Sequence, residues 1–204
     1  NLPELAQLLQ APIVQCSGRQ FPVEIRYTDE CDQFMIAELT AQVVLKAARE
    51  TQGDLLVFLP GEGEIKKCEK ILLRENNGCV VYGLYGMLAH GKQRAAILPD
   101  LQGRRKIILA TSIAETSLTI EGVSVVVDCG FGRTQRFDPR SGLSRLETIR
   151  ISKDSADQRA GRAGRLGPGV CYRMWSPAKQ AQLAEHRTPE ILETDLADLL
   201  LDLA

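Results

Sequence analysis

Residues 106–130 read KIILATSIAETSLTIEGVSVVVDCG and contain the pattern that decides the fold. Two continuously apolar runs, at residues 106–111 and 123–130, lie on either side of a more polar stretch. Strands that are apolar on both faces are typical of a parallel sheet covered by helices on both sides. The stretch therefore predicts two buried strands of such a sheet.

Outward from this stretch, strand and helix patterns alternate along the chain. Further strands are predicted at residues 21–27, 54–60, 79–86 and 169–175. Apolar residues at helical spacing predict helices that begin at Ile36 and end before Gly53, and at residues 62–74 and 93–98. The alternation predicts an open, three-layer α/β fold with a mostly parallel central sheet.

Length and composition narrow the class of protein. The 204 residues correspond to one domain with some excess, and 44% hydrophobic and 25% charged residues are an ordinary globular mixture. This mixture excludes a disordered chain, a collagen-like repeat and a disulfide-rich miniprotein. The sequence has no apolar run of transmembrane length and no signal-peptide pattern. Because the chain does not begin with Met, we expect it to be a fragment of a longer protein.

The six cysteines favour a structural role over metal binding. No two of them form a CxxC pair, and the chain has only two histidines, so a zinc site is not predicted. Several cysteines stand within apolar runs, where a free thiol behaves as a small hydrophobic side chain. We interpret them as reduced, buried thiols of a cytoplasmic protein.

Charge is unevenly distributed although the formal net charge is only −1. Residues 133–165 hold nine basic and four acidic side chains, a local excess of five positive charges. Such a stretch can face phosphate groups. Within it, residues 133–152 predict a β-hairpin that turns near residues 139–142.

The end of the chain has a different pattern. From Pro189 onward, leucines recur at helical spacing with acidic residues between them. We predict that residues 1–188 form one domain and that residues 189–204 begin the next.

The segment QRAGRAGR, residues 158–165, is the strongest functional signal. A helical interpretation places Arg159, Arg162 and Arg165 along one side. A solvent-exposed basic helix face would explain the arginines but not the two glycines, each of which costs a helix interior about 1 kcal/mol relative to Ala. Close approach of another backbone or of a ligand would explain them. Clustered guanidinium groups suit a polyphosphate, which favours arginine fingers in phosphoryl transfer.

The polar stretch at residues 110–122, ATSIAETSLTIEG, leaves a predicted strand and is rich in hydroxyl groups. Hydroxyls and backbone amides at the carboxyl end of a parallel strand suit phosphate contacts. The spacing of Ser112 and Glu115 also fits a helix capping box, and this stretch alone does not decide between the two interpretations. The sequence contains no GxxxxGK[ST] phosphate loop, which excludes a P-loop kinase fragment.

Taken together, these motifs resemble the second RecA-like domain of DEAH/RHA-type superfamily 2 RNA helicases. LLVFLPGEGEI at residues 55–65 resembles motif IV, ATSIAETSLTI at residues 110–120 resembles motif V, and DQRAGRAGR at residues 157–165 resembles motif VI. The resemblance covers nearly the whole chain and is greatest to the bacterial HrpB subgroup. It implies a RecA-like, P-loop-NTPase-type fold with a protruding hairpin.

The resemblance also implies a role for individual residues. Gln158 would orient the attacking water, Arg162 and Arg165 would be arginine fingers, and Arg159 would be structural or pair with an acid. Ser117 and Glu121 would lie near the nucleotide together with the two fingers. Nucleic-acid backbone contacts would come from Thr111, Thr119, Arg140 and Arg145.

ATP and Mg²⁺ would be held mainly by a first RecA-like domain, so we expect this chain alone to bind neither and to be inactive. The implied partners are single-stranded RNA, with DNA not excluded, and the other domains of the same protein; no membrane contact is implied, and the fragment is expected to be a monomer. The alternative function is a non-catalytic nucleic-acid-binding or adaptor module, which would have no use for arginine-finger geometry.

Overall fold

The computed structural model describes residues 2–14, 21–75, 78–116, 120–138 and 140–189, and also residues 196, 200, 201 and 203. Its helices are α1 (Leu2–Leu9), α2 (Ile36–Glu50), α3 (Glu62–Arg74), α4 (His90–Ile97), α5 (Ile113–Thr116), α6 (Lys153–Gly161) and α7 (Pro177–Gln182). Its strands are β1 (Val23–Tyr27), β2 (Asp54–Phe58), β3 (Val80–Leu84), β4 (Lys106–Ala110), β5 (Val123–Asp128), β6 (Phe131–Asp138), β7 (Leu143–Arg150) and β8 (Gly169–Arg173).

Six strands form one parallel sheet in the order β1-β8-β5-β2-β4-β3. At its centre, Val57 of β2 lies opposite Leu109 of β4 on one side and Val127 of β5 on the other. The two apolar runs of residues 106–130 are thus the strands that flank β2. All six strands point the same way, so their carboxyl ends meet at one edge of the sheet.

Helices cover both faces of this sheet and confirm the predicted three-layer fold. Leu55 and Val57 pack with residues of α2 and α3, whereas Leu56 and Phe58 pack with residues of α4, α5 and α6. Successive side chains of a strand point to opposite faces, so a strand buried on both sides must be apolar at every position. This requirement explains why polar and apolar residues do not alternate along β2, β4 and β5.

The predicted hairpin is present as β6 and β7, which form a separate antiparallel pair. Pairing begins earlier than expected, with Phe131 opposite Arg150, and continues to Asp138 opposite Leu143. The first seven residues of β7 are exposed. The hairpin therefore leaves the domain body and meets solvent on both faces over its outer part.

The expectation that the three motif VI arginines line one side of a helix is wrong. Helix α6 ends at Gly161, and Arg162 is its C-terminal cap. The chain then continues in tight turns, with Gly164 N donating to Gly161 O. Gly164 O in turn accepts from Phe21 N, so the backbone here bonds to the segment before β1 instead of continuing the helix. The two glycines of this segment suggested close approach of another backbone or of a ligand. At Gly164 the group that approaches is the backbone of Phe21.

Sequence patterns did not predict α1, α5 or α7, which have eight residues or fewer. The predicted helix of residues 189–204 falls largely outside the described residues. The boundary at residue 188 stays a prediction.

Four cysteines, Cys31, Cys68, Cys129 and Cys171, are buried free thiols, and Cys79 is half-buried. Burial raises the pKa of Cys68 to about 12, which keeps its thiol protonated and unreactive at neutral pH. Cys16 lies outside the described residues. Among the described helices, none has the length and apolar character to cross a membrane.

Gly164→Ala should lower the free energy of unfolding by about 1–3 kcal/mol, because overpacked sites of this kind must displace their neighbours. The added methyl group would lie 2.6 Å from the Phe21 carbonyl oxygen and 2.7 Å from Val23 Cγ2. Urea unfolding of the domain measures the loss. The matched control is Gly63→Ala on α3, where nothing lies within 4 Å; its stability should stay equal or rise by up to about 1 kcal/mol. Equal behaviour of the two variants would contradict the packing argument.

Candidate functional site

The candidate site lies at the carboxyl edge of the sheet, where segments that are distant in sequence meet. Phe58 ends β2, Asp128 ends β5, and Glu115 lies on α5, the single turn that follows β4. Helix α6 packs across β5 and α5 and brings Arg159 to this edge. The sheet topology therefore joins the segments that resemble motifs IV, V and VI.

Arg159 joins the segments that meet at this edge. Its Nε and Nη2 lie 2.7 and 2.6 Å from Glu115 Oε1, and its Nη1 donates to Asp128 Oδ1 at 2.8 Å and to Phe131 O at 3.1 Å. The guanidinium carbon lies 4.9 Å from the centroid of the Phe58 ring. Arg159 therefore pairs with two acids that the sequence did not identify, Glu115 and Asp128.

These contacts bury a charged network. Arg159 is 2% exposed and Asp128 is fully buried. Burial opposes the charge on Arg159, but attraction to Asp128 and Glu115 outweighs it and raises the pKa of the guanidinium. Asp128 Oδ1 also accepts from Gly130 N at 2.9 Å, whereas Asp128 Oδ2 has no hydrogen-bond partner in the described part of the chain. Arg159 is therefore needed to compensate two carboxylates.

Arg162, a predicted arginine finger, contacts the same turn. Its Nε donates to the main-chain oxygen of Glu115 at 2.8 Å, and its Nη2 donates to the same oxygen. Arg162 as a whole residue is only 5% exposed. Burial lowers the pKa of Arg162, repulsion from Arg165 adds to this effect, and attraction to Glu115 opposes it. The fork of Arg162 is therefore held in place by the segment that resembles motif V.

The other predicted nucleotide residues are distributed differently. Gln158 lies on the exposed side of α6, and Arg165 is exposed in the turns that follow this helix. Glu121 lies two residues before β5, which begins at Val123. Ser117 lies outside the described residues. The structure brings Arg159 and Arg162 together on Glu115; the role of Glu121 stays a prediction.

The predicted nucleic-acid contacts fall in two places. Thr111 is half-buried directly after β4, with its backbone N donating to Leu84 O. Arg140 lies in the exposed hairpin turn, where its backbone N donates to Asp138 Oδ1, and Arg145 is exposed on β7 opposite Arg136. Thr119 lies outside the described residues.

The root of the hairpin, where β6 begins and β7 ends, is fixed to the domain body by two arginines. Arg133 Nη2 lies 3.3 Å from Glu64 Oε1 on α3, and its guanidinium lies so close to Gly61 that a Cβ there would be 2.6 Å from Nη1. On the other strand, Arg150 stacks over the Phe131 ring at 4.1 Å and donates to Cys31 O. These contacts explain why the motif IV segment has glycine at position 61, and they assign its Glu64 an ion-pair partner.

A cavity of about 130 Å³ lies between the turn after β4, the hairpin root and the start of α6. Hydroxyl and guanidinium groups predominate among its polar lining groups, which include Ser112, Ser155, Arg133, Arg150 and Arg187. Within the described ranges, no group of three or more His, Cys, Asp or Glu side chains could hold a metal ion.

Sequence reasoning missed Glu115, Asp128 and Glu64 as site residues. The spacing of Glu115 from Ser112 fits a capping box. In the structure its carboxylate pairs with Arg159 instead. Of these three residues, Asp128 is the one that the sequence could have indicated as a site residue, because it is an acid at the end of a strand composed mainly of valine. No local pattern indicates the partner of Glu64.

A parallel α/β domain with a protruding hairpin and an arginine-bearing helix at the carboxyl edge is the architecture of a helicase C-terminal domain. The chain belongs to the family described as the helicase conserved C-terminal domain, whose model matches residues 35–167. It is of the DEAH/RHA type.

Individual relatives agree with this assignment. The chain is 47% identical over 201 residues to the ATP-dependent RNA helicase HrpB of Escherichia coli strain K12, which covers 98% of this chain and 25% of that protein. It is 37% identical to the ATP-dependent RNA helicase DHX33 of Mus musculus, covering 95% of this chain and 29% of the relative. A crystal structure of the E. coli DEAH/RHA helicase HrpB matches with a TM-score of 0.92 at 46% identity, over 98% of this chain and 26% of that one. The chain thus spans about a quarter of the length of these relatives.

Arg159→Met should destabilise the domain by about 3–5 kcal/mol, because removing one partner of a buried ion pair leaves uncompensated buried charge. Here the uncompensated groups are the carboxylates of Asp128 and Glu115. Chemical denaturation of the domain measures the change. Arg136→Ala is the control, because its pair with Glu147 is exposed and spans 3.7 Å; exposed pairs of this kind contribute about 1 kcal/mol at most. A loss for Arg159→Met no larger than the control would show that the network is not a stabilising element.

Proposed function

We propose that this domain is the C-terminal RecA-like half of an ATP-dependent RNA helicase motor. In this proposal it supplies Arg162 and Arg165 to ATP that is bound by a first RecA-like domain, and it grips the nucleic-acid backbone. The observation that carries the proposal is the fork of Arg162, which is held through Nε and Nη2 by the main-chain oxygen of Glu115. The relatives, which are named ATP-dependent RNA helicases, support the same function.

Each motif VI residue has a distinct part in the proposed reaction. Transfer of a γ-phosphoryl group spreads negative charge over its oxygens in the transition state. Arg162 and Arg165 would stabilise that charge, because a guanidinium offers a planar fork that matches phosphate geometry. Gln158, on the exposed side of α6, would orient the attacking water. Arg159 would not touch the nucleotide, since its donors are occupied by Glu115, Asp128 and Phe131.

The nucleic acid would be held by its backbone. Thr111 and Thr119 would contact phosphate or sugar groups beside the turn after β4, and Arg140 and Arg145 would add contacts from the hairpin. Contacts of this kind position a strand without reading its sequence. RNA is the substrate that the relatives' names indicate, and the hairpin would guide or separate strands.

The remaining parts of the proposal concern the whole protein. ATP and Mg²⁺ would be held mainly by the first RecA-like domain, and this domain alone would not hydrolyse ATP. Ser117 and Glu121 would approach the nucleotide in the assembled enzyme. The region from residue 189 would begin a winged-helix domain, and the enzyme would act in the cytoplasm.

Arg162→Ala and Arg165→Ala should each reduce RNA-stimulated ATP hydrolysis by the complete helicase by about 10³- to 10⁵-fold, the usual worth of an arginine finger. Affinity for ATP should largely survive, because the fingers act on charge that develops in the transition state. Lys at either position should rescue poorly, since it lacks the planar fork. Steady-state turnover and nucleotide binding measure the two effects.

The control is Arg49→Ala, an exposed arginine on α2, which should leave turnover unchanged. Near-normal turnover of the Arg162 and Arg165 variants would overturn the catalytic proposal and favour the alternative of a non-catalytic nucleic-acid-binding module.

Arg145→Ala should weaken RNA binding to the same extent on unrelated sequences. It should also reduce the slope of log affinity against log salt by about 0.7, the contribution of one phosphate contact to a single strand. Binding of oligo(U) and of a mixed-sequence strand over a series of salt concentrations tests this in the complete protein. A variant that changes affinity for one sequence only, with an unchanged salt slope, would contradict backbone contact.

A further inference from the structure

Glu115 contacts both buried arginines of motif VI, with a different group for each. Its carboxylate binds Arg159, and its main-chain oxygen accepts from Arg162. We propose that Glu115 is a positioning residue, which fixes the guanidinium of Arg162 for phosphoryl transfer without touching the nucleotide. This inference rests on the proposed function, in which Arg162 is an arginine finger.

The first step of the argument is the geometry of the Arg162 fork. Nε and Nη2 of Arg162 donate to a single oxygen, the carbonyl of Glu115. Because a guanidinium is planar and rigid, holding two of its nitrogens from one side sets the orientation of the whole group. The Glu115 carbonyl therefore orients the guanidinium of Arg162.

The second step is what holds that carbonyl. Helix α5 has only four residues, and a single turn of helix is not stable by itself. It is anchored by Ala114, which is buried in the core, and by the carboxylate of Glu115 on Arg159. Arg159 is anchored in turn on Asp128 at the end of β5. A continuous series of contacts therefore runs from the sheet through Asp128, Arg159 and Glu115 to Arg162.

The third step is charge. Arg162 and Arg165 repel one another, and the burial of Arg162 disfavours its charged form. Glu115 attracts Arg162 electrostatically and so opposes both effects. The same residue thus orients the guanidinium and counters the repulsion that would push it out of place.

Glu115→Gln removes the charge and keeps the size of the side chain. In the complete helicase with RNA, it should lower kcat for ATP by about tenfold or more, because a misplaced electrostatic group loses most of its effect. The KM for ATP should stay within about threefold, since the fingers contribute to the transition state and not to ground-state binding. Glu69→Gln, on α3 away from the site, is the matched control and should behave as the unchanged protein.

A double-mutant cycle separates positioning from a general effect on folding. The measured quantity is affinity for the complex of ADP with aluminium fluoride, which mimics the transition state and remains measurable in inactive variants. Glu115→Gln should weaken this affinity by about tenfold while affinity for ADP alone changes little. In an Arg162→Ala background the same substitution should have an effect of less than about twofold, because Glu115 acts only through Arg162.

Each outcome decides one question. An unchanged analogue affinity in Glu115→Gln, or an equal loss in the Arg162→Ala background, would overturn the positioning role. Full analogue affinity in Arg162→Ala itself would overturn the arginine-finger proposal instead. If Glu115→Gln does not fold, as judged by its thermal melt, Glu115→Asp replaces it in the same cycle. It keeps a negative charge near Arg159 but, being one methylene shorter, lengthens the contact with Arg159, and the same outcomes decide.

Discussion

The placement of one cation, Arg159, between the carboxylates of Asp128 and Glu115 governs the arrangement of this domain's functional edge. The three residues come from a strand, a single helical turn and a separate helix, so their meeting fixes the relation of those elements. Burying three charges is unfavourable unless each is compensated in good geometry. The network therefore tolerates little displacement, and the segments that it joins are held in one relative position.

This constraint explains the contrast between the two buried arginines of motif VI. Arg159 has all its contacts within the domain and is a structural residue, although its spacing makes it look equivalent to its neighbours. Arg162 donates from Nε to a main-chain oxygen, which carries no formal charge. In the proposed function, the guanidinium of Arg162 acts on a nucleotide that another domain binds.

The sheet could be predicted from the sequence because burial on both faces demands unbroken apolar runs, and β2, β4 and β5 have them. Helix α3 was predicted with the bounds Glu62–Arg74 because its apolar positions recur at helical spacing. The end of α6 could not be predicted, since it depends on the backbone of Phe21, which no local pattern reveals. In the same way, motif spacing identified the arginines, but the pairing of Arg159 with Glu115 joins residues 44 positions apart. Local periodicity predicts elements; it does not predict which polar side chains meet when those elements pack.

Among the described residues, Arg133, Arg150 and Phe131 hold the hairpin to the domain body near its root. Beyond these contacts, β6 and β7 are joined mainly to one another, and lengthening a surface loop adds little entropic cost. The turn after Asp138 is therefore a place where residues can be inserted or replaced without loss of stability in the sheet or displacement of Arg162. Helicases built on this domain can vary the reach of the hairpin separately from the chemistry at the carboxyl edge.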